Sequence, residues 1–128
     1  MTFGPLDFVY LPSRDVAADV AHWTRAGGEV VFAVERFDTR VAMMTVGSGP
    51  GFLLAQHLEG DAPVLVYRVD DLAASVTDLA DHGIEVSEGF DFPYGDAVEV
   101  RSPGPQRVAI YQRTRPDRGD SLRGRRDF

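Results

Sequence analysis

The sequence predicts an α+β fold built from two βαβββ modules in tandem. Two observations carry the prediction: the chain repeats itself, and each copy holds one helical apolar stripe followed by short β-branched runs. Shifted by 56 residues, "DVAADVAHWTRAGGEV" (15–30) falls on "DLAASVTDLADHGIEV" (71–86). Asp15/Asp71, Ala17/Ala73, Ala18/Ala74, Val20/Val76, Gly27/Gly83, Glu29/Glu85 and Val30/Val86 are identical. Further on, the offset drops to 55, where Phe37/Phe92, Ala42/Ala97, Gly49/Gly104 and Pro50/Pro105 coincide. So long a period in a 128-residue chain means two copies of one module, because a solenoid needs three or more stacked units.

The elements follow in order. "LDFVYL" alternates and opens the first module as a strand. Asp15 then stands where an N-cap acceptor belongs, Val16, Val20 and Trp23 recur at i, i+4 and i+7, and Gly27 stands where a left-handed terminating residue belongs. "EVVFAVE", "RVAMMTV" and "FLLAQH" read as the three following strands, with the Gly and Pro of "GSGPG" turning the last two into a hairpin. The second module repeats the scheme. "PVLVYRV" precedes a helix capped by Asp71, striped by Leu72, Val76 and Leu79, and ended at Gly83; "IEVSE", "AVEVRS" and "RVAIYQ" follow, with "SPGP" as the hairpin turn.

The totals bound the class. Two independent domains of about 64 residues would each be marginal, so one domain is expected over 1–115, with repeats at about 5–58 and 61–114. The chain has no cysteine, which removes disulfides and zinc–thiolate sites and suits a reducing cytoplasm. No apolar run approaches the ~20 residues that span a bilayer, so a cytoplasmic protein with no membrane partner is expected. Net charge is −7, yet residues 113–128 hold six arginines against Asp117, Asp120 and Asp127. The body is therefore strongly acidic and repels a phosphate backbone, which argues against a nucleic-acid partner. Residues 116–128 are expected to be a flexible, basic C-terminal tail.

With these elements in place, the sequence resembles the vicinal oxygen chelate superfamily, which includes glyoxalase, bleomycin-resistance and extradiol-dioxygenase proteins. The carriers are "LDFVYLPSRDVAADVAHW", "VLVYRVDDLAASVTDLADHGIEV" and "PYGDAVEVRSPGPQRVAIYQRTRP", over about residues 5–115. The last looks like the family's Gly, Asp-Pro-x-Gly and final-strand pattern, with Ser102 in place of the Asp. The resemblance implies a curved, barrel-like mixed sheet around a pocket, helices packed outside, and a homodimer.

Enzymes of that family usually hold a divalent ion with His, Glu or Gln from the first and last strand of each module. Carried over, the four places fall on Phe8, Leu54, Val64 and Ala109, and hydrocarbon offers a metal no donor. No metal and no other cofactor is expected, which argues against a metal enzyme. Alternation around those places then assigns a binding surface of Phe8, Tyr10, Phe52, Leu54, Gln56, Val64, Val66, Arg107, Ala109 and Tyr111, flanked by Leu6 and Arg68. His57 falls on the opposite face. The same residues equally suit a packed core with no room inside.

The remaining motifs read as structure. His22 lies on the polar face of the first helix, and His82 sits at the carbonyl end of the second, where a cationic side chain suits the dipole. "VGSGPG" lacks the spacing and following helix of a phosphate loop, and Ser48 is not on a nucleophile elbow. Asp70-Asp71 is a carboxylate pair at a helix start. The reading that follows is a metal-free binder of a small, aromatic or drug-like organic molecule, as the drug-sequestering relatives imply. Two others stay open: a lyase, isomerase or dioxygenase of the same superfamily, and a partner protein with the Arg-rich tail as its contact.

Overall fold

A computed structural model describes residues 3–36 and 38–128; Phe37, one of the repeat coincidences, lies outside them. Two compact units form, one of Phe8–Pro63 with Leu122–Phe128, the other of residues 3–7 with Val64–Ser121.

In the first unit, β1 (Leu6–Pro12), α1 (Val16–Arg25), β2 (Glu29–Arg36), β3 (Thr39–Thr45) and β4 (Gly51–Ala55) follow the predicted order. Their strands lie as β2-β3-β4-β1. The β2–β3 and β3–β4 pairs are antiparallel, and β4 runs parallel to β1. Both ends of α1 are set by the residues that predicted them. The Asp15 carboxylate accepts from Ala18 N at 3.0 Å. At the other end Gly27 takes φ +103°, and Gly28 N donates to Trp23 O at 2.8 Å, closing the last turn. The apolar stripe buries Val16 and Val20 against Ala33, Ala42, Met44 and Leu54, with Leu11, Trp23, Val30 and Phe52 around them. Full burial of an aliphatic side chain of this size contributes roughly 1.5–3 kcal/mol.

In the second unit, β5 (Val64–Val69), α2 (Leu72–Asp81), β6 (Phe90–Phe92), β7 (Gly95–Val100) and β8 (Val108–Gln112) repeat the pattern as β5-β8-β7-β6, with β5 parallel to β8. Val69, Leu79, Val98 and Ile110 form the core beneath α2, with Tyr67, Leu72 and Val76 against it. Asp71 caps α2 through Ala74 N at 3.0 Å, and Gly83 at φ +74° ends it. Replacing Asp71 with alanine orphans that amide; urea unfolding should show a loss of about 1 kcal/mol.

One strand moves. The run 84–88, predicted as the strand after the second helix, makes a single bridge, Val86 to Val100, and the ladder strand is β6 at Phe90–Phe92. The reason is local: the Ser87 hydroxyl takes the bond from Glu99 N at 2.9 Å, so a side chain replaces a backbone partner.

Residues 116–128, expected as a flexible tail, carry α3 (Pro116–Leu122) and then run beside β2, where Ala33 N donates to Arg125 O at 2.8 Å and Asp127 N to Ala33 O at 2.7 Å. No local charge pattern announces this, because the groups that satisfy the segment lie in the first module. Among the described residues no helix is long and apolar enough to cross a membrane.

Candidate functional site

In each unit the strands have one face under the helix and one facing away, and the register decides which side chains occupy the second. In the first unit Leu54 aligns with Leu11 and Ala42, and Phe52 with Met44. All five belong to the cluster beneath α1, and the Trp23 ring meets Phe52 edge-on at 5.8 Å. The assignment of Phe52, Leu54 and Gln56 to the binding surface is therefore corrected. Phe52 and Leu54 are helix-side core. Gln56 is exposed at the strand end, where its Oε1 accepts from Arg40 N at 3.3 Å. The side chains facing away from α1 are Phe8, Tyr10, Met43, Leu53 and Ala55, since Tyr10 and Met43 both align with Leu53.

His57 is corrected with them. Its Nε2 lies 2.6 Å from the Tyr10 hydroxyl. Burial pushes the Tyr10 phenol up to about 12 and pushes the His57 imidazole below its ordinary value. Both groups are therefore uncharged at neutral pH. Between two neutral groups the bond runs from the phenol to Nε2 or from Nε2–H to the phenol oxygen, according to the imidazole tautomer. The pair can orient a polar atom by donating or accepting a hydrogen bond. It is not primed to ionise, because a phenol raised to that level is a weak acid at neutral pH.

The second unit places Val64, Val66, Arg68, Ala109 and Tyr111 away from α2, since Tyr67, Val69 and Ile110 belong to the core beneath it. Tyr111 is 1% exposed, and its ring tilts against Phe92 at 5.3 Å. Its hydroxyl donates to the Asp7 carboxylate, and Arg68 Nε lies 3.6 Å from the same oxygen. Burial first, and the hydrogen bond to Asp7 second, push the Tyr111 phenol well above its usual range. Arg107, just before β8, forks onto Glu99 of β7 at 2.8 and 3.2 Å, and that bond holds the Glu99 carboxyl below the usual carboxylate range. Arg107 is thus committed to a cross-strand pair.

Sequence reasoning missed His57 and Asp7. Keeping the offset at 56 through β4 would have found His57, because that offset aligns Leu53 with Ala109 and returns His57 to the face of Tyr10. For Asp7, between Leu6 and Phe8, no such signal existed, since alternation assigns it away from both.

The other motifs are structural. The His22 ring stands edge-on to Trp23 at 5.0 Å, and His82 Nδ1 donates to Asp78 O at 2.7 Å. Ser102, in the place of the family's Asp, accepts from Gly104 N at 3.2 Å and so holds the β7–β8 turn. Among the described residues no three His, Asp or Glu side chains gather as metal ligands. With Leu53 taken in place of Leu54, the four places that the sequence resemblance implies for metal ligands become Phe8, Leu53, Val64 and Ala109. They remain hydrocarbon, so the residues present do not fit a divalent ion.

No family model and no curated protein matches the chain. Solved structures do. Methylmalonyl-CoA epimerase from Mycobacterium tuberculosis superposes with a TM-score of 0.70 at 18% identity, over 84% of this chain and 87% of that one. Streptomyces coelicolor methylmalonyl-CoA epimerase, in complex with 2-nitronate-propionyl-CoA, gives 0.68 at 15% identity over 88% and 99%. A glyoxalase I variant from Zea mays gives 0.68 at 16% identity over 87% of this chain; the chain spans 44% of that enzyme's length. Such low identities speak to architecture and leave chemistry to the residues themselves. With the order of elements, the two parallel closures and these superpositions in agreement, the chain shares the paired-βαβββ fold of these structures.

Proposed function

We propose that this protein binds a small organic molecule without a metal ion and without covalent change. What supports the reading is the chemistry of Phe8, Leu53, Val64 and Ala109: these places, which the sequence resemblance implies for ligands to a divalent ion, hold hydrocarbon side chains. The surfaces facing away from the helices are apolar and aromatic, with Phe8, Tyr10, Val64, Val66, Ala109 and Tyr111 among the retained candidates. Such surfaces favour a flat or aromatic ligand held by burial, with sparse polar groups fixing its orientation. Each unit has polar groups of its own for this: the neutral Tyr10–His57 pair in the first, the Asp7–Tyr111–Arg68 cluster in the second. A cytoplasmic homodimer completes the proposal.

Native mass spectrometry of protein purified without chelator tests the metal, the bound molecule and the subunit count at once. The expected spectrum is a metal-free dimer carrying an organic mass that denaturation releases. One tightly held divalent ion per chain would overturn the reading. An anilinonaphthalene sulfonate titration gives the residue-level test. Phe8→Ala should weaken dye binding about tenfold, or ~1.4 kcal/mol, while moving the urea midpoint little; unchanged binding removes Phe8 from the site.

A further inference from the structure

We propose that residues 123–128 form a detachable strap over β2, and that the partner this edge takes when the strap lifts is β2 of a second copy of the chain. β2 is the outermost strand of the first unit, paired to β3 on one side alone. On its other side the strap supplies a near-complete set of partners. Gly124 N donates to Val31 O at 2.7 Å, Ala33 N to Arg125 O at 2.8 Å, Asp127 N to Ala33 O at 2.7 Å, and Glu35 N to the Asp127 carboxylate at 2.9 Å. Arg126 bridges Ala33 in parallel. Val31 O, both backbone groups of Ala33 and Glu35 N, at every second position along the strand, are thereby occupied.

The covered stretch explains why covering matters. "VVFAV", Val30–Val34, is continuously apolar and uncharged, and all but Ala33 are β-branched or aromatic, the composition that pairs edge to edge when bare. A twofold pairing of identical edges is antiparallel and closes on itself, so the expected product is a discrete assembly through β2. The strap replaces that attractive edge with Arg123, Arg125 and Arg126, all exposed. Asp127 offsets Arg125 at 3.0 Å, so Arg123 and Arg126 carry the excess charge by which two covered edges repel.

Its hold is concentrated at one anchor. Residues 123–127 are exposed, whereas Phe128 is half-buried against the α1 cluster and lies under the Arg40 guanidinium at 4.8 Å. An exposed run of backbone bonds with a single apolar anchor opens locally at lower cost than the core beneath it.

The test has two arms. In the full chain, Phe128→Ala should speed hydrogen exchange at the Ala33 and Glu35 amides at least tenfold while the amides of β3 keep their protection. In a chain ending at Leu122, light scattering should show a larger assembly than the full chain forms at equal concentration. The added hexapeptide Arg-Gly-Arg-Arg-Asp-Phe should reverse it, and the same peptide ending in Ala should not. Unchanged exchange in Phe128→Ala overturns the strap, and it does so even if the shortened chain fails to fold. A shortened chain that folds and keeps the full chain's mass overturns the second-copy partner.

Discussion

Gly95→Ala is expected to unfold the second module at moderate urea, with a loss of about 4 kcal/mol or more, the range reserved for a single gross steric conflict. A Cβ at Gly95 would lie 1.7 Å from Gln112 O, 2.9 Å from Gln112 C and 3.0 Å from Thr114 N. All three are backbone atoms of the chain leaving β8, and none can swing aside as a side-chain end can. Gly95 also opens β7 opposite Phe92, and Arg115 N donates to Tyr94 O at 2.9 Å just beside it. Relief of the clash must therefore pull the β6–β7 hairpin away from residues 112–115. Gly89→Ala is the matched control. Its added Cβ would meet only Ala97 O at 3.8 Å, an ordinary contact, so its unfolding midpoint should stay within about 0.5 kcal/mol of the parent. Equal midpoints for the two variants would refute the steric argument.

Tyr111 is expected to give the second large effect, and one that depends on pH. Tyr111→Ala removes a side chain that is 1% exposed and should cost about 3–5 kcal/mol. Tyr111→Phe keeps the volume but takes the hydroxyl from Asp7, leaving that carboxylate with Arg68 at 3.6 Å; a cost of about 1–3 kcal/mol follows. The sign with pH is set by the upward shift. The folded state favours the protonated phenol, so this contribution is fully present below the unfolded value of 10.0 and is lost as pH rises through the higher folded value. Tyr10, raised to about 12, adds to the same alkaline decline. Stability measured from pH 8 upward should thus fall above about 10 in the parent and fall less steeply in Tyr111→Phe. Parallel curves would mean that the Tyr111 hydroxyl is not held in the folded state as described.

The helices were legible because their signals are local and redundant. Asp15 and Asp71 cap, Gly27 and Gly83 terminate, and the stripe between them points to the core. The faces of β4 were not, and the reason is specific. Ala42/Ala97, Gly49/Gly104 and Pro50/Pro105 suggest an offset of 55, but two of those coincidences are turn residues, placed by hairpin geometry rather than by side-chain direction. The structure puts Ala42 beneath α1 and Ala97 beside Tyr111, on the other kind of face. Since strand side chains alternate with period two, one residue of misalignment turned Phe52, Leu54 and Gln56 outward and hid His57. The apolar character of the family's ligand places survived the slip only because Leu53 and Leu54 are both leucine. The bonds between residues 124–128 and β2 were beyond any local reading, because their partners have no periodic relation in the sequence.

The distance along the chain between β2 and its covering segment also sets an order of events during synthesis. Glu35 and Asp127 are 92 residues apart. At about 5–20 residues per second, the ribosome leaves this strand's outer side bare for roughly 5–18 s after Glu35 has been made. A nascent chain is thus most prone to wrong pairing in that interval, which outlasts the synthesis of its second module, β5 to β8 at Val64–Gln112. Crowded polysomes, where identical strands emerge side by side, would feel this first.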